Sequence, residues 1–194
     1  MRRSKGEVVE AAVINLPNLV TLSRLLASPL AVYLILNEAW TVAFWLFLIA
    51  GLSDALDGYL AVRLNAHTRV GSILDPLADK VLLVSVFVVM GYEHRLPQWI
   101  VILVVFRDLL IIGGALLVHA LTGKLEMRPL MISKINTVMQ FILPAYVLGT
   151  LSLGIDDTRI QPVLIWIVAA TTCLSGAAYV VVWTRRTADL GDGG

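Results

Sequence analysis

Six apolar stretches set the terms for any fold this chain can adopt. They run from about Leu19 to Leu36, Trp40 to Leu60, Ser72 to Gly91, Leu96 to Leu121, Ile135 to Leu153 and Ile160 to Trp183. About 20 apolar residues carry an α-helix across a bilayer. Inside hydrocarbon, only a segment that satisfies its own backbone hydrogen bonds is viable. Asn37, Pro97, Gly123, Pro129, Gly154 and Pro162 fall at or near the gaps, where helix breakers belong. The expected fold is therefore an all-α integral membrane protein with six transmembrane helices. Composition agrees: 58% of the 194 residues are hydrophobic and 15% are charged, against about 45–50% and 25% in soluble domains. A chain of this length is one domain. The expected divisions are an N-terminal cytoplasmic or interfacial segment over 1–18, a six-helix transmembrane domain over 19–184 and a cytoplasmic tail over 185–194.

Charge placement orients the helices. One side of the expected membrane carries Arg2, Arg3, Lys5, Arg63, Arg69, Lys124, Arg128, Arg185 and Arg186. The other carries only Arg95 and Arg159, beside Glu38, Glu93, Asp156 and Asp157. Lys and Arg accumulate in cytoplasmic loops, so both termini and the loop between the second and third spans are expected in the cytoplasm. The opening MRRSKGEVVE is polar, of mixed charge and without a cleavage signature, and Glu7 and Glu10 disfavour a transit peptide. Val8 to Ile14 suit a short interfacial helix. A bacterial inner membrane is the expected location. The single cysteine, Cys173, lies in an apolar run and is expected to be a buried structural thiol. No internal repeat is visible.

Against this apolar background, residues 53–80 read SDALDGYLAVRLNAHTRVGSILDPLADK and hold four aspartates. Asp54 and Asp57 are spaced i, i+3; Asp75 and Asp79 are spaced i, i+4. On helices, each pair shares a face. Four ionised carboxylates in a partly dehydrated site repel one another. Cations between them relieve this, and all-oxygen donors favour hard ions such as Mg²⁺, Mn²⁺ or Ca²⁺. Mg²⁺ usually combines a few carboxylates with substrate phosphates, which points to a phosphorylated substrate. The plainer alternative pairs these aspartates with Arg63, Arg69 and Lys80. Gly58 and Gly71 either let a ligand come close or serve helix packing and capping.

The segment resembles the signature of the CDP-alcohol phosphotransferases, D-x2-D-G-x2-A-R-x8-G-x3-D-x3-D, through Asp54, Asp57, Gly58, Ala61, Gly71, Asp75 and Asp79. The arginine of the signature is Val62 here, with Arg63 following. The resemblance implies transfer of a phosphatidyl group from CDP-diacylglycerol to an alcohol, with release of CMP. It implies Asp54, Asp57, Asp75 and Asp79 as ligands of Mg²⁺ or Mn²⁺, two ions, with Asp79 also the general base. It implies the cytidine near Gly58 and Ala61, a donor site that includes Arg63 and Gly71, and a homodimer. No nucleic-acid partner is expected. Two such ions can clamp a diphosphate, and phosphoryl-type transfer asks mainly for positioning and charge neutralisation.

The acceptor is read from the second half. NLPNLVTLSR and DPLADK are similar to the glycerol-3-phosphate-using members of the family. Those members pair arginine and glutamate in the fourth span, with another arginine about two turns on, and carry two lysines one residue apart before the fifth. Here Arg107–Asp108 is followed by LLIIGGALLV, and ISKINT keeps Lys134 but has Asn136 at the second lysine position. A dianionic acceptor would lack two cationic groups. FRDLLII and PLMISKINTVMQ resemble the cardiolipin synthases of the superfamily instead. The resemblance implies phosphatidylglycerol, a monoanion, as acceptor, with glycerol 3-phosphate as the second candidate. Arg24, Arg107, Lys134 and Asn136 are the candidate phosphate and acceptor residues. Arg24 either binds a phosphate or snorkels to the interface; Arg107 either serves the acceptor or forms a structural pair with Asp108. An ion-coupled transporter is the rival class, disfavoured because the charges gather at one membrane face.

Overall fold

The computed structural model describes residues 23–64, 71–122, 130–157 and 159–191, with side chains over 23–53, 80–114, 130–157 and 159–184. Six helices and no strands occur among the described residues. They are α1 (Ser23–Leu36), α2 (Trp40–Leu64), α3 (Gly71–Tyr92), α4 (Gln98–Thr122), α5 (Met131–Ser152) and α6 (Ile160–Gly191). Of these, α5 and the stretch Ile160–Thr184 of α6 are long and apolar enough to cross a membrane, by length and composition. The chain forms two compact units: Met1–Glu93 with Leu148–Ile155, and His94–Val147 with Asp156–Gly194.

In the first unit, α1 buries Arg24, Ala27, Ser28, Ala31 and Ile35, a stripe at helical spacing. From α2 come Ala43 and Phe47, and from α3 Val86, Phe87 and Met90, all at 1% exposure or less. Gly149 packs against Phe44: a Cβ there would lie 3.2 Å from the ring. Ser152 Oγ donates to Thr41 Oγ1 at 2.8 Å. The turn between α1 and α2 is a Schellman cap. Glu38 N–H reaches the Ile35 carbonyl (3.0 Å) and Ala39 N–H the Leu34 carbonyl (2.9 Å), with Glu38 left-handed at φ 55°. The same motif closes α5, where glycine takes the left-handed place. Gly154 has φ 64°, and Ile155 N–H reaches the Thr150 carbonyl at 2.9 Å.

In the second unit, α4 packs on α6, with Gly114 beneath the Trp183 indole. The N-terminus of α6 is tied down by Asp157, whose carboxylate accepts from the N–H groups of Arg159 (3.1 Å), Ile160 (3.0 Å) and Gln161 (2.7 Å) and from Tyr146 Oη (2.9 Å). Burial pushes this carboxyl up, but the backbone donors, Gln161 foremost, and the tyrosine outweigh it and hold it at about 2. Pro162 stands in the first turn, where its missing N–H has no helical partner to lose. Pro144 stands inside α5, where no break was expected.

The outer surfaces are apolar. Leu26, Tyr33, Ile49, Ile102, Phe106 and Trp166 are each more than 60% exposed. Large apolar side chains exposed to this extent suit lipid rather than water. One correction follows: Cys173 is exposed on α6, not buried, because an apolar stretch long enough to cross a membrane does not require protein cover. Three helices extend beyond their apolar runs. The α2 helix continues to Leu64. The α5 helix begins at Met131, so Lys134 sits in its first turn instead of ahead of it. The α6 helix runs through the expected tail to Gly191, since TRRTADL contains neither glycine nor proline to stop it.

Candidate active site

Helical backbone runs through all four signature aspartates. Asp54 and Asp57 lie in the last three turns of α2, with Gly58, Ala61 and Arg63 beyond them. Asp75 and Asp79 lie in the first turns of α3, which Gly71 opens. Each pair is thus about one turn apart on its helix. The side chains from Asp54 to Asp79 lie outside the described residues, and among the described residues no group of three or more His, Cys, Asp or Glu is gathered for a metal.

Arg24, on α1 in the same unit, is only 4% exposed. A side chain that snorkels keeps its charged head in water, whereas this one is covered by protein. The Arg24 carbonyl also accepts from Ser28 Oγ at 3.2 Å.

The second unit assembles a buried polar column from three helices. Arg107 and Asp108 on α4 pair at 2.8 Å, with 4% and 6% of their side chains exposed. Adjacent residues on a helix do not face each other, and it is the reach of the arginine that closes the contact. The guanidinium goes further: Nη2 donates to Ser133 Oγ of α5 at 2.7 Å and to Ser175 Oγ of α6. One turn along α5, Asn136 is fully buried, and its Oδ1 accepts from the hydroxyls of Thr171 and Thr172, each at 2.9 Å. One turn further, Gln140 is also fully buried. As α5 rises from Ser133 to Asn136, its partners on α6 descend from Ser175 to Thr172, so the two helices run antiparallel. Beyond Gln140 the interior is apolar, with Leu143, Val147, Val104 and Val168 at 2% exposure or less. Each buried polar group left without a bond costs about 1–3 kcal/mol, so a column in this setting is an expensive feature.

Of the acceptor candidates, the structure places Arg107 and Asn136 in this column and leaves Lys134 exposed at the start of α5. Ser133, Gln140, Thr171, Thr172 and Ser175 were not among the expected residues. Their signal was spacing: Ser133, Asn136 and Gln140 repeat at i, i+3, i+7 along α5, and Thr172 and Ser175 at i, i+3 on the next helix.

The sequence model of the CDP-alcohol phosphatidyltransferase family matches residues 14–174. The chain is 37% identical, over 94% of its length, to the rice (Oryza sativa subsp. japonica) chloroplastic CDP-diacylglycerol–glycerol-3-phosphate 3-phosphatidyltransferase 1, of which it spans 63%. It is 31% identical, over 85% of its length, to human cardiolipin synthase (CMP-forming), of which it spans 60%. It is 32% identical, again over 85%, to the Bacillus subtilis CDP-diacylglycerol–glycerol-3-phosphate 3-phosphatidyltransferase, of which it spans 93%.

Proposed function

Since the chain belongs to the CDP-alcohol phosphatidyltransferase family, we propose that it transfers a phosphatidyl group from CDP-diacylglycerol to the free hydroxyl of phosphatidylglycerol, yielding cardiolipin and CMP. Its medium would be a bilayer that six helices cross, with both termini and the aspartates on the cytoplasmic side, as in a bacterial inner membrane. It would act as a homodimer.

The donor end rests on Asp54, Asp57, Asp75 and Asp79. Four carboxylates form an all-oxygen donor set, which fits two Mg²⁺ or Mn²⁺ ions. Bound there, such ions supply charge neutralisation at the donor's diphosphate. Gly58, Ala61 and Gly71 leave room for the cytidine and diphosphate, and Arg63 stands near the place of the signature arginine. In the transfer, the acceptor hydroxyl oxygen bonds to the phosphatidyl phosphorus. The P–O bond to CMP breaks, CMP leaves with the electron pair, and the Asp79 carboxylate takes the hydroxyl proton. Arg24 would meet a lipid phosphate.

The acceptor end rests on the polar column, and this observation carries the choice of acceptor. Its guanidinium, Arg107, is already matched by Asp108, and the next position along is the neutral amide of Asn136. With Asp108 offsetting Arg107, each added negative charge here is short of countercharge, so a phosphodiester monoanion, with Lys134 at the entrance, suits the setting better than a dianion. The second reading, phosphatidylglycerophosphate synthesis from glycerol 3-phosphate, is favoured by the printed activity of the rice and Bacillus relatives.

The test separates the two. Purified protein is given CDP-diacylglycerol and Mn²⁺ with either phosphatidylglycerol or glycerol 3-phosphate, and lipid products are resolved by thin-layer chromatography. Cardiolipin from the first mixture is expected; product from the second mixture alone would reverse the assignment.

A further inference from the structure

Helix α5 holds hydrogen-bonding capacity that the described protein groups do not use. Gln140 is fully buried, and neither its Nε2 nor its Oε1 has a partner among the described residues. Asn136, one turn earlier on the same face, gives its Oδ1 to the two threonines, while its Nδ2 has no partner among the described residues. Pro144, lacking an N–H, gives nothing to the carbonyl of Gln140 four residues before it. Buried polar groups are bonded as a rule, so two side-chain amides with open atoms on consecutive turns of one helix call for something to fill them.

The surroundings define what that is. Gln140 lies about 10 Å along the axis from Ser133, at seven residues and 1.5 Å each, and so about that far from where Arg107 touches α5. At this depth the neighbouring buried side chains are apolar. An ion would be stranded there, so the occupant is uncharged. The amide N–H groups want an acceptor oxygen. Carbonyl oxygens of acyl esters meet both conditions: they accept without carrying charge, and they sit on the apolar side of a lipid phosphate.

We propose that Gln140, with Asn136 beside it, binds the ester carbonyl oxygens of the lipid acceptor whose phosphate Arg107 meets. Gln140 is then a specificity residue that selects a diacyl lipid over a water-soluble alcohol. The inference rests on phosphatidylglycerol being the acceptor.

The experiment compares 1,2-diacyl phosphatidylglycerol with its 1,2-dialkyl ether analogue, which has no carbonyls, using diacyl CDP-diacylglycerol as donor throughout. KM for each acceptor is measured in the wild type and in Gln140→Leu, a change that removes no hydrogen bond seen in the structure. The wild type is expected to show about a tenfold lower KM for the diester, the worth of one to two hydrogen bonds, and Gln140→Leu to erase that ratio. The variant's KM for CDP-diacylglycerol reports whether it folds. Equal KM values for diester and diether in the wild type overturn the inference without any variant. A ratio that survives in Gln140→Leu overturns it too, as does a preference that follows ether substitution in the donor instead. If no cardiolipin forms and only glycerol 3-phosphate is consumed, the acceptor assignment itself falls, which is a distinct result.

Discussion

Removing the carboxylate of Asp108 tests whether the buried pair governs the second unit. In Asp108→Leu the Arg107 guanidinium keeps Ser133 and Ser175 but loses its countercharge at 2.8 Å, in a place where the two side chains are 4% and 6% exposed. Breaking a buried pair from one side costs about 3–5 kcal/mol, whereas replacing both members by apolar groups of similar size is often neutral or stabilising. For a chain of this length each kcal/mol moves the thermal midpoint by about 2–4 °C. Asp108→Leu should therefore lower the midpoint by roughly 6–20 °C. Arg107→Met combined with Asp108→Leu should recover most of that loss. The assay is thermal unfolding of the detergent-purified protein, followed by circular dichroism. Cardiolipin formation is measured in parallel, because the double variant should be stable yet poor with phosphatidylglycerol. A single variant as stable as the wild type, or a double variant no better than the single, would refute the idea that Arg107 depends on Asp108 for its charge balance.

Other predictions are simpler. Glu38 holds a left-handed conformation that disfavours L side chains by about 1–2 kcal/mol, so Glu38→Gly should raise the melting midpoint by a few degrees; a lower midpoint would argue against the cap. Asp157 has its carboxyl lowered from 3.8 to about 2, so its stabilisation is complete above the ordinary carboxylate range and is lost as pH falls through about 2. Asp157→Ala should thus melt earlier at pH 7, and the gap to wild type should narrow between about pH 4 and pH 2. Finally, Asp79→Asn should end CMP release from CDP-diacylglycerol; near-normal turnover would remove it from the role of base.

Much of the helical framework could be read from apolar run length and from the breakers between the runs. The gap at Gly154 was legible because glycine is the residue that closes a helix at positive φ. The gap at Asn37 was legible too, but the residue that takes the strained conformation, Glu38, was not: hydrogen bonds to Leu34 and Ile35 select it, and glutamate gives no cue. Pro144 was not read as a break, and α5 runs through it. The choice between a structural pair and an acceptor group at Arg107 could not be made from adjacency with Asp108. The serines that fix the guanidinium come from 26 and 68 residues away, and only the folded chain brings them in. Cys173 was misjudged because hydrophobic neighbours in sequence do not imply burial on a helix long and apolar enough to cross a membrane.

At 32 residues, α6 is about 48 Å long, while the hydrocarbon layer measures about 30 Å. A rod that exceeds its medium must project from it. With its apolar stretch Ile160–Thr184 set across a bilayer, Arg185 and Arg186 would begin a stem of up to two further turns clear of the acyl chains. Trypsin added from the side on which that stem emerges would clip it there, and the clipping would report in a single gel which way round the protein sits.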